Sequence, residues 1–497
     1  MESLGMHAEL DVAPKAAIAA SNKIRHLQEK RSSSGVRASI GGHELFPIEE
    51  LLAAGKALRE KLPRASHGEW KRRDHRDPIQ TLRASDKGRL QDLLPIRYGR
   101  MLASPFAFFR GSAAVMAADL AATPVTGIRV QACGDCHLLN FGGFATPERN
   151  IVFDINDFDE TLPGPWEWDV KRLAASSVLA ARSFGFTDDQ GREAAMAAAR
   201  SYRKALREFT GMHPLDIWYT RITAEDIIEA APKAQRPAMR TRVDKAIERA
   251  KSSNFDYPKL AGMVGGHVGI RDVPPLIFHP ETAHVFEFRT ILEEVFAAYR
   301  ETLADDRRML LDRYRIVDAA IKVVGIGSVG RRCWIALLMS GTNDPLFLQF
   351  KEAVASVLEP YAGKSTYAHH GKRVVMGQRL IQPGADLFLG WVTGLRSSGY
   401  QPQYYVRQLR DCKIKPDIES FDPGFLLTYA KACGRVLARG HAKTGDHCIM
   451  NGYIGTSDAF DCAVADFAVA YADQTERDHN ALKAAVRQGT IRAFREA

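Results

Sequence analysis

Two apolar spacings alternate along this chain. Over Asp169–Ser183 and Asp188–Phe209 the Ala-rich sequence keeps a helical period. That period returns at Gly424–His441, through Leu426, Leu427, Ala430, Cys433 and Leu437, and again over Asp458–Val486. Ser85–Asp119 also reads as largely helical, as do Glu287–Leu303 and the basic run Arg236–Lys251. From about Asp318 the sequence becomes strand-like: Ile321–Val324, Cys333–Met339 and Leu346–Lys351 are short apolar runs bounded by glycines or by the turn Gly341–Pro345. Arg373–Gln382, Leu387–Val392 and Tyr404–Leu409 are expected to complete a small sheet. The cluster Gly262–Gly269 reads as an irregular turn with a structural His267 rather than a ligand loop. An α+β protein follows, divided into an N-terminal mobile arm (1–45), a helical lobe (46–305), a small β-rich lobe (306–412) and closing helices (413–497).

Composition narrows the function classes. A chain of 497 residues that is 45% hydrophobic can bury a large core, and a formal charge of +9 favours anionic partners. No run approaches the ~18 apolar residues of a spanning helix, so no membrane partner is expected. Seven scattered cysteines, an odd number, argue against a disulfide framework. With no apolar core of signal-peptide length near the N-terminus, a cytoplasmic protein is expected. Lys61–Arg76 is basic around Trp70. It reads as a solvated face with one anchoring aromatic rather than a nucleic-acid surface, because no recognition motif accompanies it.

The stretch Gln131–Leu173 concentrates chemistry. It holds Asp135, Glu148, Asp154, Asp157, Asp159, Glu160, Glu167 and Asp169 among short apolar runs. Moving a phosphoryl group requires a carboxylate to orient the attacking hydroxyl, and a second carboxylate with an amide oxygen to hold Mg²⁺ against the phosphates. A loop reading Asp-x-x-x-x-Asn, followed by a hairpin ending in Asp-Phe, supplies all three. Asp135 is thus the expected base, with Asn140 and Asp157 as metal ligands. Arg97, Arg100 and Arg110 are expected to pair with these carboxylates. Cys133-Gly-Asp-Cys136-His137 also fits haem-attachment and redox-pair patterns, but neither explains the carboxylates that follow.

Gly134-Asp135-x-x-x-x-Asn140 with Ile155-Asn-Asp157-Phe158 resembles the catalytic loop and metal motif of the protein-kinase and aminoglycoside-phosphotransferase superfamily. Asp169 is similar to the helix-starting Asp that follows the metal site in the aminoglycoside enzymes. One departure is Cys133, which stands where many members carry His and so removes a brace on the loop. From about Pro95 to Asp478 the wording, as in RYGRM, SPFAFFRG, FDINDFDET and YADQTERD, is more similar still to the bacterial family called domain of unknown function 2252, which lends no activity. The superfamily resemblance implies a bilobal kinase-like fold, with ATP and Mg²⁺ as cofactors. In it, Gly325-Ile-Gly327-Ser328-Val-Gly330 would form the hairpin over the phosphates, Lys351 would contact them, and Glu359, with Glu352 second, would pair with Lys351. A Walker loop is excluded because Arg331 and Arg332 stand where Lys and Ser/Thr are needed.

The order is unusual, since the glycine hairpin follows the catalytic loop instead of preceding it. Either the lobes are permuted or a second set, Asp446, Asn451 and Asp466, forms the site. The first is favoured because Phe460, Val464, Phe467 and Tyr471 put Asp466 inside a helix. The activity expected is phosphoryl transfer from ATP to a hydroxyl on a small molecule or protein. Nucleotidyl transfer on the same scaffold, a catalytically inactive nucleotide-binding scaffold, and nucleic-acid binding are the alternatives.

Overall fold

The computed structural model describes residues 46–494 apart from 231–232, 235, 252–256, 265, 280–284, 397–398 and 410–413, together with two paired strands at Ser39–Ile40 and His43–Glu44. The rest of the N-terminal arm, and Cys412, lie outside the described residues.

The helices that organise the chain are α1 (Ile48–Lys61), α2 (Trp166–Ser183), α3 (Asp188–Thr210), α4 (His370–Ile381), α5 (Pro423–Thr444), α6 (His447–Ile454) and α7 (Ala459–Arg487). The principal strands are β1 (Arg129–Ala132), β2 (Phe141–Ala145), β3 (Ile151–Ile155), β4 (Leu162–Pro165), β5 (Ile277–Phe278), β6 (Tyr314–Lys322), β7 (Cys333–Ser340), β8 (Pro345–Ala353), β9 (Gly390–Thr393) and β10 (Gln403–Gln408). The fold is mixed α+β, as expected. Among the described residues no helix is long and apolar enough to cross a membrane.

Helix α2 is the axis of the helical part. Every residue from Trp166 to Ala181 is buried, enclosed by α3, α5 and α7. Its run Ala174-Ala-Ser-Ser-Val-Leu-Ala-Ala181 lets those neighbours approach closely. Helix α3 starts at a reciprocal cap in which Thr187 and Gln190 satisfy each other's backbone N–H groups. Helix α5 starts at Asp422, which accepts from Phe425 N, with Pro423 next. Where α5 crosses α3, a Cβ on Gly434 would lie 2.2 Å from the Ala198 carbonyl oxygen. Backbone cannot yield there, so Gly434→Ala is expected to cost about 2 kcal/mol, read as a lower urea midpoint at unchanged slope. An unchanged midpoint would show that the two helices can separate freely.

A buried ion pair ties this body to the β2–β3 hairpin. Arg439 of α5 binds the Asp154 carboxylate and donates to Ile381 O at 2.8 Å, and both charged side chains are only 1% exposed.

The main sheet is antiparallel and six-stranded, in the order β9-β10-β8-β7-β6-β5. Alternation assigns its faces. Ala336, Leu338, Leu348 and Phe350 pack with Tyr299 and Leu303 on one side; Ile335, Leu337 and Met339 pack with Leu260 and Ile270 on the other. Two expectations are corrected. Arg373–Gln382 is not a strand: His369 caps Lys372 N, and Val374, Val375, Gln378 and Ile381 bury one face of α4. The Gly262–Gly269 cluster is a regular two-stranded hairpin, Ala261–Val264 with His267–Ile270, and His267 is exposed rather than structural.

Candidate active site

The β2–β3 hairpin sets the site's geometry. Phe141 pairs with Ile155 at its open end, so the residues just outside the pairing, Asn140 and Asn156, face each other, and Asn156 N donates to Asn140 O at 2.7 Å. Asp157 therefore leaves a strand beside Asn140. The Asn140 amide N–H₂ donates to Asp135 O at 2.7 Å, which leaves the amide oxygen for another ligand. Two consecutive hydrogen bonds thus link Asp135, Asn140 and Asn156, and Asp157 follows Asn156 directly in the chain.

The loop bearing Asp135 is braced by α2. Asp169, in the first turn, accepts from Cys133 N at 2.6 Å and from Gly134 N at 2.9 Å. Gly134 has a φ of 84°, and a Cβ there would lie 2.3 Å from Glu160 O, so only glycine makes this turn. His441 of α5 lies 3.3 Å from Asp169 and its other ring nitrogen is 2.8 Å from Tyr202 OH. With Cys133 at the loop, the backbone brace comes from Asp169 of α2, and His441 backs Asp169 from a late helix.

Asp135 is fixed by an arginine that sequence reasoning did not select. Arg172, one turn after Asp169, contacts Asp135 Oδ1 through Nε at 2.6 Å and Nη2 at 2.5 Å. The guanidinium also donates to Phe109 O at 3.0 Å and lies 4.2 Å from the Phe109 ring centroid. His137 is 3.9 Å from Asp135 Oδ2, and burial pushes its imidazole down to about 3, so it is a neutral neighbour. Arg97 departs from the expected pairing with this stretch, because it binds Asp86 instead. Arg100 donates to Gly325 O, and the Arg110 guanidinium lies over the Phe106 ring.

Strand alternation brings Lys351 in from the six-stranded sheet. On β8, Gln349 and Lys351 share one face, and their partners on β10 are Arg407 and Tyr405. The Lys351 ammonium binds the Asp159 carboxylate and is 3.7 Å from Asp157 Oδ2. Glu352, the next residue, faces the other way and takes Arg332 and Tyr400. Glu359 is not the partner of Lys351. The chain after β8 is turned by Glu160, which accepts from Ser356 Oγ and Val357 N, and this carries Glu359 past the strand face into the short helix Glu359–Ala362.

Burial would lower Lys351, but the Asp157 and Asp159 carboxylates outweigh it and hold the ammonium well above its ordinary range. Burial would likewise raise Asp157, but Lys351 and then Arg407 hold it below the usual carboxylate value. Both groups are therefore charged at neutral pH, and 35% of the Asp157 side chain reaches solvent.

The glycine hairpin between β6 and β7 reaches the same point. Ser328 Oγ donates to Asp159 Oδ2 at 3.1 Å, and Tyr405 OH donates to Asp159 Oδ1 at 2.8 Å. Gly325 and Gly330 take positive φ of 68° and 85°. The hairpin's carbonyls are tied down, Gly327 O and Val329 O by Arg89 and Gly330 O by Leu90 N. The N–H groups of Gly327, Ser328 and Gly330 are not spent on backbone hydrogen bonds among the described residues, which suits an anion.

The second motif is dispersed. Asp446 caps α6 by accepting from Ile449 N, Asn451 lies within α6, and Asp466 on α7 forms an exposed ion pair with Arg192 of α3. Cys133 and Cys136 are free and 1% and 0% exposed, and Cys133 Sγ donates to Asp157 O at 3.6 Å, a packing role with no access for haem. Trp70 packs edge-on against Tyr471 at 4.9 Å, as an anchor.

Among the described residues no group of three or more His, Cys, Asp or Glu side chains is arranged to hold a metal. A carboxylate and an amide oxygen, completed by phosphate oxygens and water, is nonetheless the sort of partial protein shell that Mg²⁺ accepts, and Asp157 with Asn140 fits it.

No curated protein and no solved structure gives a match. The family model described as "Uncharacterized protein conserved in bacteria (DUF2252)" matches residues 89–485, and the chain belongs to that family.

Proposed function

We propose that this protein is a Mg²⁺-dependent phosphotransferase of kinase-like, bilobal and permuted design, passing a phosphoryl group from ATP to a hydroxyl acceptor. One observation carries the reading. Lys351 and Ser328 from the small lobe meet Asp157 and Asp159 from the helical lobe, while hydrogen bonds link Asp135 and Asn140 to Asn156, the neighbour of Asp157. A buried ammonium, free loop N–H groups and a carboxylate–amide pair are the parts that phosphoryl transfer uses for charge neutralisation and alignment.

In this reading the Gly325–Gly330 hairpin offers its free N–H groups to phosphate oxygens, and Lys351 exchanges Asp159 for a phosphate oxygen. Asp157 and the Asn140 oxygen hold Mg²⁺, which when bound neutralises the phosphate charge. Asp135 orients the acceptor hydroxyl and takes its proton on Oδ2, the oxygen that Arg172 leaves uncovered. The described cysteines are all free, which fits a reducing, cytoplasmic setting.

Calorimetry of Mg·ATP binding tests the assignment. Lys351→Ala should weaken affinity by at least roughly tenfold in protein whose circular dichroism is unchanged. Equal affinity in the folded variant would remove Lys351 and the hairpin from the nucleotide site.

A further inference from the structure

A second polar concavity lies on elements that carry none of the residues assigned above. It is an open pocket of about 600 Å³, lined by Arg200, Arg203, Lys204 and Arg207 of α3 and by Thr456, Ser457 and Asp458 of the α6–α7 connection. The four cations lie at spacings of three, four and seven residues from the first, so they form one face of α3. We propose that this pocket binds a phosphorylated small molecule, independently of the activity assigned to the Lys351 site.

The charges are unevenly matched. Asp461, fully buried, is consumed by Arg203 through Nε at 3.0 Å and Nη2 at 2.7 Å, with Arg200 at 3.8 Å. Arg203 Nη1 also donates to Thr456 O at 2.6 Å, which fixes the far wall. Lys204 and Arg207 are exposed, with no carboxylate partner among the described residues, and Asp458 is the one remaining acid on the lining. Helix α7 begins at Ala459, and its cap has no side-chain hydrogen bond. Its N-cap Asp458 and first-turn Asp461 are both acidic, and Asp461 is taken by Arg203 and Arg200, so the uncompensated charge on the lining belongs to Lys204 and Arg207. Neighbouring like charges on one helix face are costly unless an anion neutralises them, and guanidinium, ammonium and hydroxyl donors are the groups that recognise phosphate. The volume exceeds what a lone phosphate fills and falls within the roughly 300–1,000 Å³ of small-ligand pockets.

Inorganic pyrophosphate is the probe, titrated calorimetrically into the Lys351→Ala protein so that the first site contributes least. Binding is expected there, and adding Lys204→Glu with Arg207→Glu should weaken it by at least roughly tenfold. Both side chains are exposed, so the fold should survive; the Gln pair at the same positions is the fallback and should still weaken binding. The proposal is overturned if pyrophosphate shows no binding at about 10 mM, or if affinity is the same with and without the two cations. It is also overturned if a mixed-sequence oligonucleotide binds this face more tightly than pyrophosphate does, which would make it a nucleic-acid surface.

Discussion

Asp157→Asn should remove Mg²⁺-dependent ATP binding, whereas Asp135→Asn should leave that binding nearly intact and reduce turnover by ~10²-fold or more. The split follows from what each carboxylate faces. Asp157 sits beside Lys351 and Asn140, on the side where phosphate charge must be neutralised. Asp135 is held instead by Arg172. An Asn at 135 keeps the shape of the loop, because Asp169 and Asn140 grip its backbone. Slow ATP hydrolysis is the first readout, since it needs no acceptor. The reverse pattern, with Asp135→Asn abolishing Mg·ATP binding and Asp157→Asn changing neither binding nor turnover, would exchange the two roles and defeat the mechanism.

Arg439→Met should be the most destabilising of the single changes considered, at about 3–5 kcal/mol. It strips the cation from a carboxylate that is 1% exposed. Burial already holds the Asp154 carboxyl above its ordinary 3.8, by more than Arg439 offsets, and the variant raises it further. A raised folded value penalises folding at pH above the unfolded value, so the loss should grow as pH rises from 3.8 toward the folded value and fade as pH falls back toward 3.8. Asp154→Leu combined with Arg439→Met should recover most of the stability, because no orphaned charge remains. Denaturant titrations at two pH values measure both effects. A pH-independent loss, or no recovery in the double variant, would mean that packing of the Arg439 stem, rather than its charge, holds the hairpin.

What the sequence revealed and what it hid have a common cause. Helices α2, α3, α5 and α7 were readable because each buries a continuous stripe, and α2 was readable although its buried set includes Glu167, Asp169, Lys171 and Arg172. Asp135, Asn140 and Asp157 could be grouped because one hairpin connects them locally. The partner of Lys351 could not be found by counting along β8. Asp157 and Asp159 follow the distant β2–β3 hairpin, and the residue nearest in sequence, Glu352, is turned away by the pleat. Arg172 and Arg407 were hidden for the same reason, each meeting its target through tertiary packing. Helix α4 was misread because Val374-Val375 carries strand propensity, which the capping His369 and the amphipathic spacing override.

The brace on the Asp135 loop makes the protein's biogenesis strongly vectorial. Asp169 is synthesised well before its partner His441, and α7, which closes over α2, comes later still. Until α7 leaves the exit tunnel, the buried helix α2 has no roof. A nascent chain stalled before His441 should therefore be protease-sensitive around α2, and one released with α7 complete should become resistant in a single late step.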